Sequence, residues 1–340
     1  MRKYLLPEGG SFYKANLHTH TTVSDGKLTP EEMKKAYMEQ GYSVIAFTDH
    51  EVLIPHPELA EENFLPLNGY EIALTETGDI PWRNKKTCHI CLVALEPDNL
   101  KHVCKHRSDW PGPNSPMARY RDQMQFLYED ESDFRRQHTP ECVNEVMKRA
   151  RENGFFVTYN HPTWSLENYN DYTNYHGMHA MEICNYGCVY VGFADYNERE
   201  YDDMLMAGER IFCISTDDNH NTAGLPGDSF GGFTMIKADK LEYKTITDAL
   251  VAGHFYASQG PQIFDLWFED SKVHIRCSDA QCIALNTGVR RAKAAYADAS
   301  GFLKEAEFEI LPEDRYFRLT VTDPTGKHAN TNAYFTDELF

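Results

Sequence analysis

An α/β fold is what the sequence predicts for most of this 340-residue chain, with a smaller β-rich module behind it. Three observations carry the prediction. A helix signal, a closing glycine and an apolar strand follow one another three times between residues 29 and 216. Histidines and carboxylates stand just past the ends of those strands. From Gln262 onward the helical signals stop and short alternating strands take over. Near-continuous apolar strands alternating with helices point to a parallel sheet covered on both faces. With metal-binding residue types gathered at the strand ends, a closed α/β barrel is the natural architecture, its working residues on that rim. An open doubly wound sheet would also place its site beyond the strand ends, but no glycine-rich phosphate loop follows any strand.

The pattern begins early. Residues 15–20 read as a short buried strand running into the polar turn Thr21-Thr22-Val23-Ser24-Asp25-Gly26. Side chains alternate along a strand, so His18 and His20 share a face about 7 Å apart and can lean onto one metal ion with bonds of about 2.1 Å. Asp25 supplies a carboxylate at the same mouth. Thr29, Pro30 and Glu32 form an N-cap, a first-turn proline and a capping box, opening a helix that runs to Gln40 and stops at Gly41. Residues 43–48 form the next strand, ending in Asp49-His50. The strand over 65–72 carries Glu71 among apolar neighbours, where burying it unpaired would cost several kcal/mol. Residues 87–95 carry His89; Cys88 and Cys91 on that strand point to opposite faces, which argues against a thiolate pair on one metal.

Residues 98–137 break the pattern with a polar, proline-bearing insert. It holds Lys101, His102, Lys105, His106, Arg107, Arg119, Arg121, Arg135 and Arg136, the densest cationic stretch of the chain. Any one of these fits a solvated face. As a group they are expected to bring side chains such as His106, Arg107 and Arg119 onto a substrate anion. The helix–glycine–strand pattern then returns. A helix opens at Thr139-Pro140-Glu141 and ends at Gly154, and a strand over 155–159 leads to Asn160-His161-Pro162. A helix over 198–207 closes at Gly208, and a strand over 211–215 leads to Thr216-Asp217-Asp218-Asn219-His220. A last helix covers 245–252. Strands are then expected at 263–268, 273–277, 308–311, 317–322 and 333–336, with a turn at Asp323-Pro324-Thr325-Gly326. The expected division is a barrel over 1–260 and a sandwich-like appendage over 261–340. Residues 289–299 fit neither period.

A formal net charge of −19 argues against a protein that coats nucleic acid, and no stable nucleic-acid binding is expected. It leaves room for a small anionic substrate, because bound metal ions reverse the field locally. Nine cysteines without a regular framework read as free thiols of a reducing compartment. The first ten residues lack an apolar signal core and no run of 18 apolar residues exists, so a cytoplasmic protein without a membrane partner is expected. The oligomeric state is not fixed by the sequence.

The candidate ligands are therefore His18, His20, Asp25, His50, Glu71, His89, His161, Asp218 and His220. Each alone has a structural explanation; nine at strand ends in one domain point to a metal centre. Imidazole and carboxylate without thiolate suit manganese, zinc or iron. Nine ligands exceed the needs of two ions and point to three, whose charge of about +6 is half offset by the three carboxylates and would attract phosphate. A water shared by two such ions loses a proton near neutral pH and can attack phosphorus, with Asp25, His50, Glu71 and Asp218 as the residues nearest that chemistry. His106, His102 or an arginine of the insert is expected to assist the leaving group.

In order and spacing these motifs resemble the polymerase-and-histidinol-phosphatase (PHP) family. The resemblance rests on His18-Thr19-His20, Ser24-Asp25-Gly26, Thr48-Asp49-His50, Glu71, His89, Asn160-His161-Pro162 and Asp218-Asn219-His220, and covers residues 12–260. Residues 252–261 and the β-rich tail look like the branch that includes carbaryl hydrolase. The resemblance implies a distorted (β/α)7 barrel with two or three divalent ions. By that analogy one ion takes His18, His20, Glu71 and Asp218, a second Glu71, His89 and His161, and a third Asp25, His50 and His220. Asp49 and Asp217 are expected to orient imidazoles. Asp217 and Asp218 compete for one ligand position, and the Asp-x-His spacing favours Asp218. The implied reaction is hydrolysis of a small-molecule or nucleotide phosphate ester. Hydrolysis of a carbamate, amide or ester is the alternative that an aromatic-lined pocket without ordered arginines would favour. A metal-bound scaffold without turnover is a third reading, and the unbroken ligand set weighs against it.

Overall fold

A computed structural model of the chain describes residues 2–105, 115–127, 134–299 and 301–340. In chain order the first elements are β1 (Lys3–Tyr4), β2 (Ser11–Asn16), α1 (Pro30–Glu39), β3 (Val44–Phe47), β4 (Leu65–Thr75), β5 (Thr87–Ala94), β6 (Lys101–His102) and β7 (Gln125–Phe126). There follow α2 (Pro140–Glu152), β8 (Phe155–Asn160), α3 (Tyr169–Tyr172), β9 (Ala180–Asn185), α4 (Tyr186–Tyr190), α5 (Glu198–Ala207), β10 (Phe212–Thr216), β11 (Phe233–Ala238), α6 (Tyr243–Val251) and β12 (Phe255–Ser258). The last part holds β13 (Ile263–Glu269), β14 (Lys272–Ala280), β15 (Cys282–Thr287), β16 (Ala292–Tyr296), β17 (Leu303–Glu309), β18 (Tyr316–Thr322), β19 (His328–Thr331) and β20 (Tyr334–Phe335). The protein is thus mixed α/β. Thr29 makes the expected capping box with Glu32 at the start of α1, and Thr139 caps α2 through the Cys142 N–H.

A large sheet organises the molecule in the order β10-β9-β8-β5-β4-β3-β2-β11-β12-β19-β18-β15-β16. It is not the all-parallel sheet expected. β2, β3 and β4 run parallel, as do β8, β9 and β10, but β5 is antiparallel to both β4 and β8. The cause is the 76–86 connection, which holds a single 3-10 turn in place of a crossover helix and so returns the chain as a hairpin. β11 pairs antiparallel with β2 and β12. Ala15, Ala46, Leu67, Val93, Phe156, Ala180, Ile214 and Ile236, one from each of eight strands, share one buried cluster, so the sheet curves around a common interior. No ladder among the described residues joins β10 back to β2. The two meet instead through an isolated Thr19–Asn219 bridge, and the Thr234 hydroxyl links β11 to Ser215 on β10.

The same bridge shortens the first strand. β2 ends at Asn16, not His20, because the following backbone turns to the 218–219 segment: Asp218 N–H donates to His18 O at 3.0 Å and His20 N–H to Asn219 O at 3.2 Å. In the C-terminal part, β1, β13, β14 and β17 form a separate four-stranded sheet. It packs on β15, β18 and β19 through Leu266, Val273, Ile275, Ile283, Phe317 and Leu319. The segment that fits neither period contains β16, which among the described residues pairs only with β15 and keeps most of its side chains exposed. No helix among the described residues is long and apolar enough to cross a membrane. All nine cysteines are unpaired.

Candidate metal centre

The turns that carry the ligands are fixed before the ligands meet. Asp49 accepts from Thr21 N–H (2.8 Å), Thr21 Oγ1 (2.8 Å), Ser24 N–H (3.0 Å) and Ser24 Oγ (2.7 Å), which folds the 21–24 turn over the site. Gly26 closes that turn, and a Cβ there would stand 2.4 Å from the His20 carbonyl oxygen, so the Ser-Asp-Gly motif needs its glycine for close approach. Asp217 accepts from Tyr37 Oη (2.7 Å) and from the N–H groups of Phe230, Gly231 and Gly232 (2.8, 2.9 and 2.8 Å). Burial lifts its pKa to about 6 against those donors. Among the described residues neither carboxylate hydrogen-bonds an imidazole, contrary to expectation: each is consumed by backbone N–H groups and hydroxyls that a loop in a buried position must satisfy. Asp218 and His161 sit at φ +48° and +29°, uncommon for residues with a Cβ. Asp218 is pinned there by its N–H on His18 O, and His161 by its N–H on Glu182 Oε2 at 3.0 Å.

All nine candidate ligands converge at this end of the strands. Glu71, 1% exposed, is the hub. Its Oε1 lies 2.9 Å from His89 Nδ1, 3.2 Å from His18 Nε2 and 3.3 Å from His161 Nε2. Its Oε2 lies 2.8 Å from His50 Nδ1 and 3.5 Å from His20 Nε2. Asp218 Oδ1 faces His20 Nε2 at 3.0 Å and His18 Nε2 at 3.2 Å. The two Nε2 atoms of His18 and His20 stand 3.1 Å apart. Asp25, half exposed, approaches His220 Nε2 (3.5 Å), His50 Nε2 (3.7 Å) and His20 Nδ1 (3.9 Å). These contacts resolve into overlapping groups: His20/Asp25/His50/His220, His18/Glu71/His161, His18/His20/Asp218 and His50/Glu71/His89, with the donor atoms of each within 4.8 Å of one another.

The donor set fits divalent ions. Ligands bound at about 2.1 Å in tetrahedral or octahedral geometry lie about 3.0–3.4 Å from each other, the spacing found around Glu71 and Asp218. His20 Nδ1 is buried and has no hydrogen-bond partner among the described residues, a cost that coordination removes. The electrostatics agree. Against their burial, the surrounding imidazoles hold the carboxyls of Glu71 and Asp218 well below the usual range. Against theirs, the carboxylates lift His50 and His161 to about 9. Burial, then His220 and His50, press His20 down to about 3. Protons and metal ions compete for the same lone pairs, so metal uptake releases protons here.

One functional carboxylate went unnoticed in the sequence. Glu182 on β9, fully buried, accepts from His18 Nδ1 (2.7 Å), Thr216 Oγ1 (2.6 Å), His161 N–H (3.0 Å) and Asn185 Nδ2 (2.9 Å). It fixes the tautomer of His18 so that Nε2 faces the cluster. The signal was available: an acid inside Ala180-Met181-Glu182-Ile183-Cys184 is the same anomaly as Glu71 in its own strand. Asp228 holds the His220 backbone, accepting its main-chain N–H at 2.8 Å, while His220 Nδ1 meets the Asp218 carbonyl at 3.1 Å.

The cationic insert behaves differently from expectation. Lys105 (3.1 Å), Arg136 and His102 (3.4 Å) converge on the carboxylate of Glu51, next to His50, and His102 also bonds the Val103 carbonyl. Lys105 and Arg136 neutralise a buried acid and are not free for an anion, while burial lowers the His102 pKa to about 4 and leaves that ring uncharged. Arg119 donates to the Thr22 carbonyl and lies over the Tyr120 ring. His106 and Arg107 lie outside the described residues. A cavity of about 700 Å³ opens over the cluster; besides seven of the nine ligands it is lined by Lys27, Glu51, Ala73, Trp82, Trp164, Gly187, Cys188, Val191, Thr222 and Asp228. Lys27 is the one lysine or arginine on that wall among the described residues.

A sequence model of the PHP domain matches residues 16–219. No curated protein gives a significant match. Among solved structures, a two-domain protein from Bacteroides vulgatus containing a predicted PHP-like metal-dependent phosphoesterase is 14% identical, with 98% of this chain and 90% of that one covered and a TM-score of 0.44. A provisionally assigned metal-dependent phosphoesterase from Bifidobacterium adolescentis is 16% identical over 65% of this chain and 91% of the other, TM-score 0.38. An amidohydrolase from Chromobacterium violaceum, solved with sulfate and no metal, is 17% identical over 63% and 89%, TM-score 0.35.

Proposed function

Because the chain belongs to the PHP domain family, we propose that it is a metal-dependent hydrolase that cleaves a phosphate ester of a small molecule or nucleotide. The observation that carries this reading is Glu71, one buried carboxylate whose two oxygens meet five imidazoles at 2.8–3.5 Å. We assign His18, His20, Glu71 and Asp218 to one ion, Glu71, His89 and His161 to a second, and Asp25, His50 and His220 to a third. When bound, such ions supply Lewis acidity and lower the pKa of water toward neutrality. The protein's own contribution is to hold the ligands rigid, through Glu182, Asp49, Asp217 and Asp228, and to keep the carboxylates ionised. Lys27, exposed at the mouth beside Asp25, is positioned to meet a phosphoryl oxygen. Seven strands, β2, β3, β4, β5, β8, β9 and β10, with the Thr19–Asn219 bridge between first and last, support reading the fold as a distorted barrel.

A second reading has its own observation. Trp82 and Trp164 line the cavity while Lys27 is its lone lysine or arginine among the described residues, which favours a carbamate or ester carbonyl as substrate. The two are separated by assaying manganese-loaded protein against phosphomonoesters, phosphodiesters and carbamates. The expected result is phosphoester turnover that chelation removes. Glu71→Ala or His20→Ala is expected to abolish turnover and to lower bound metal by elemental analysis. Full activity in either variant sinks the mechanism, and turnover of carbamates alone selects the second reading.

A further inference from the structure

The cavity wall is not uniform. Trp164 packs edge-on against His161 (ring centroids 5.0 Å apart) and tilts onto His89 (5.2 Å), so it borders that side of the cluster. Its position is built. The Trp164 N–H donates to Asp195 Oδ2 at 2.9 Å and the Thr163 N–H to Asp195 Oδ1 at 3.1 Å, with Asp195 fully buried. One residue on, Ser165 Oγ meets His161 Nδ1 at 3.2 Å. Trp82, 63% exposed on the turn between β4 and β5, and Val191, 64% exposed, line the same cavity. Single exposed apolar side chains are ordinary, but several converging on one cavity leave a surface that a ligand can cover. Lys27 and Asp25 belong to the same lining, held by His220: the Lys27 main-chain N–H donates to the His220 carbonyl at 2.9 Å.

We propose that Trp164 and Trp82 form a stacking wall that selects substrates bearing a planar ring beside the scissile group, seated over the His89 and His161 side of the centre. The inference rests on the hydrolase reading above and adds to it the class of leaving group. Burying a flat π face against an indole is favourable beyond the area covered, and a puckered ring of equal bulk lacks that face.

The experiment compares benzylphosphonate with cyclohexylmethylphosphonate, two unhydrolysable probes that differ in ring planarity, by calorimetric titration of the manganese-loaded full chain. The expected result is a benzyl preference of at least about threefold. In Trp164→Ala and Trp82→Ala that ratio falls toward one, while Trp164→Phe retains it. Equal affinities in the wild-type protein, or a preference that survives both alanine variants, overturns the proposal. Methylphosphonate, which has no ring, reports separately on the phosphate reading. Should it fail to bind, that reading falls, and benzyl alcohol against cyclohexylmethanol, followed by quenching of tryptophan fluorescence, decides the ring preference by the same two criteria.

Discussion

Glu71 and Glu182 divide the work of charge around His18. Glu71 faces the Nε2 side among the other candidate ligands, and Glu182 holds Nδ1 at 2.7 Å. Glu182→Gln keeps an acceptor but loses the charge, so metal affinity is expected to fall about tenfold, measured by competition with a chelator. A second histidine gives a prediction away from the centre. His179 Nδ1 accepts the Val157 N–H at 3.0 Å, and burial, then Arg151, lowers its pKa from 6.5 to about 4. The unfolded chain takes up this proton below pH 6.5 while the folded chain refuses it until about 4. Stability from this group is therefore complete above 6.5 and is lost as pH falls toward 4, by roughly 2 kcal/mol at pH 5. Asn at 179 offers an acceptor without titrating. In urea unfolding, His179→Asn should lack this part of the acid loss; an unchanged pH slope would refute the assignment.

Strands deliver the ligands, but the turns after them set the aim. α4 begins where β9 ends, and a Cβ on its Gly187 would stand 2.6 Å from the Asp217 carbonyl oxygen and 2.8 Å from that of Asp218. Gly187→Ala must displace either the helix or the turn bearing Asp218. The expected outcome is a loss of about 1–3 kcal/mol with reduced metal content, read by thermal unfolding and elemental analysis. Helix ends and strands with one-sided burial were legible, because caps, prolines and apolar runs are local: α1, α2 and α5 start where the sequence places them. β9, β11, β12, β15 and β19 are not legible in the sequence, and neither is β16, whose exposure removes the alternation by which strands are recognised. The destination of the insert's cations was illegible as well. Nothing near Lys105 or Arg136 in the chain announces that Glu51 is their partner.

At the level of the whole molecule, the β-rich tail and the α/β part share a sheet. β19 pairs with β12, and β1 from the start of the chain pairs with β13. Arg318 on β18, 2% exposed, reaches back to α5, bonding Asp202 (2.8 Å) and Glu198 (3.0 Å). Arg318→Ala is expected to cost about 2–3 kcal/mol, less than for a fully buried pair because both carboxylates keep some contact with water. Chemical denaturation measures it, and a change below about 0.5 kcal/mol would show that the strand pairing carries the contact alone. The sequence by itself determined the types and order of the candidate ligands and the starts of the main helices, since these follow from side-chain chemistry and from caps and periodicity within a few residues. Only the tertiary structure decided which imidazole meets which carboxylate oxygen, that β5 runs against its neighbours, and that Asp49 and Asp217 serve backbone and hydroxyl donors rather than histidine. Those outcomes depend on residues about two hundred positions apart meeting in buried hydrogen bonds, as the Asp217 N–H and Asn16 Oδ1 do. No local pattern ranks such competitors; packing them together does.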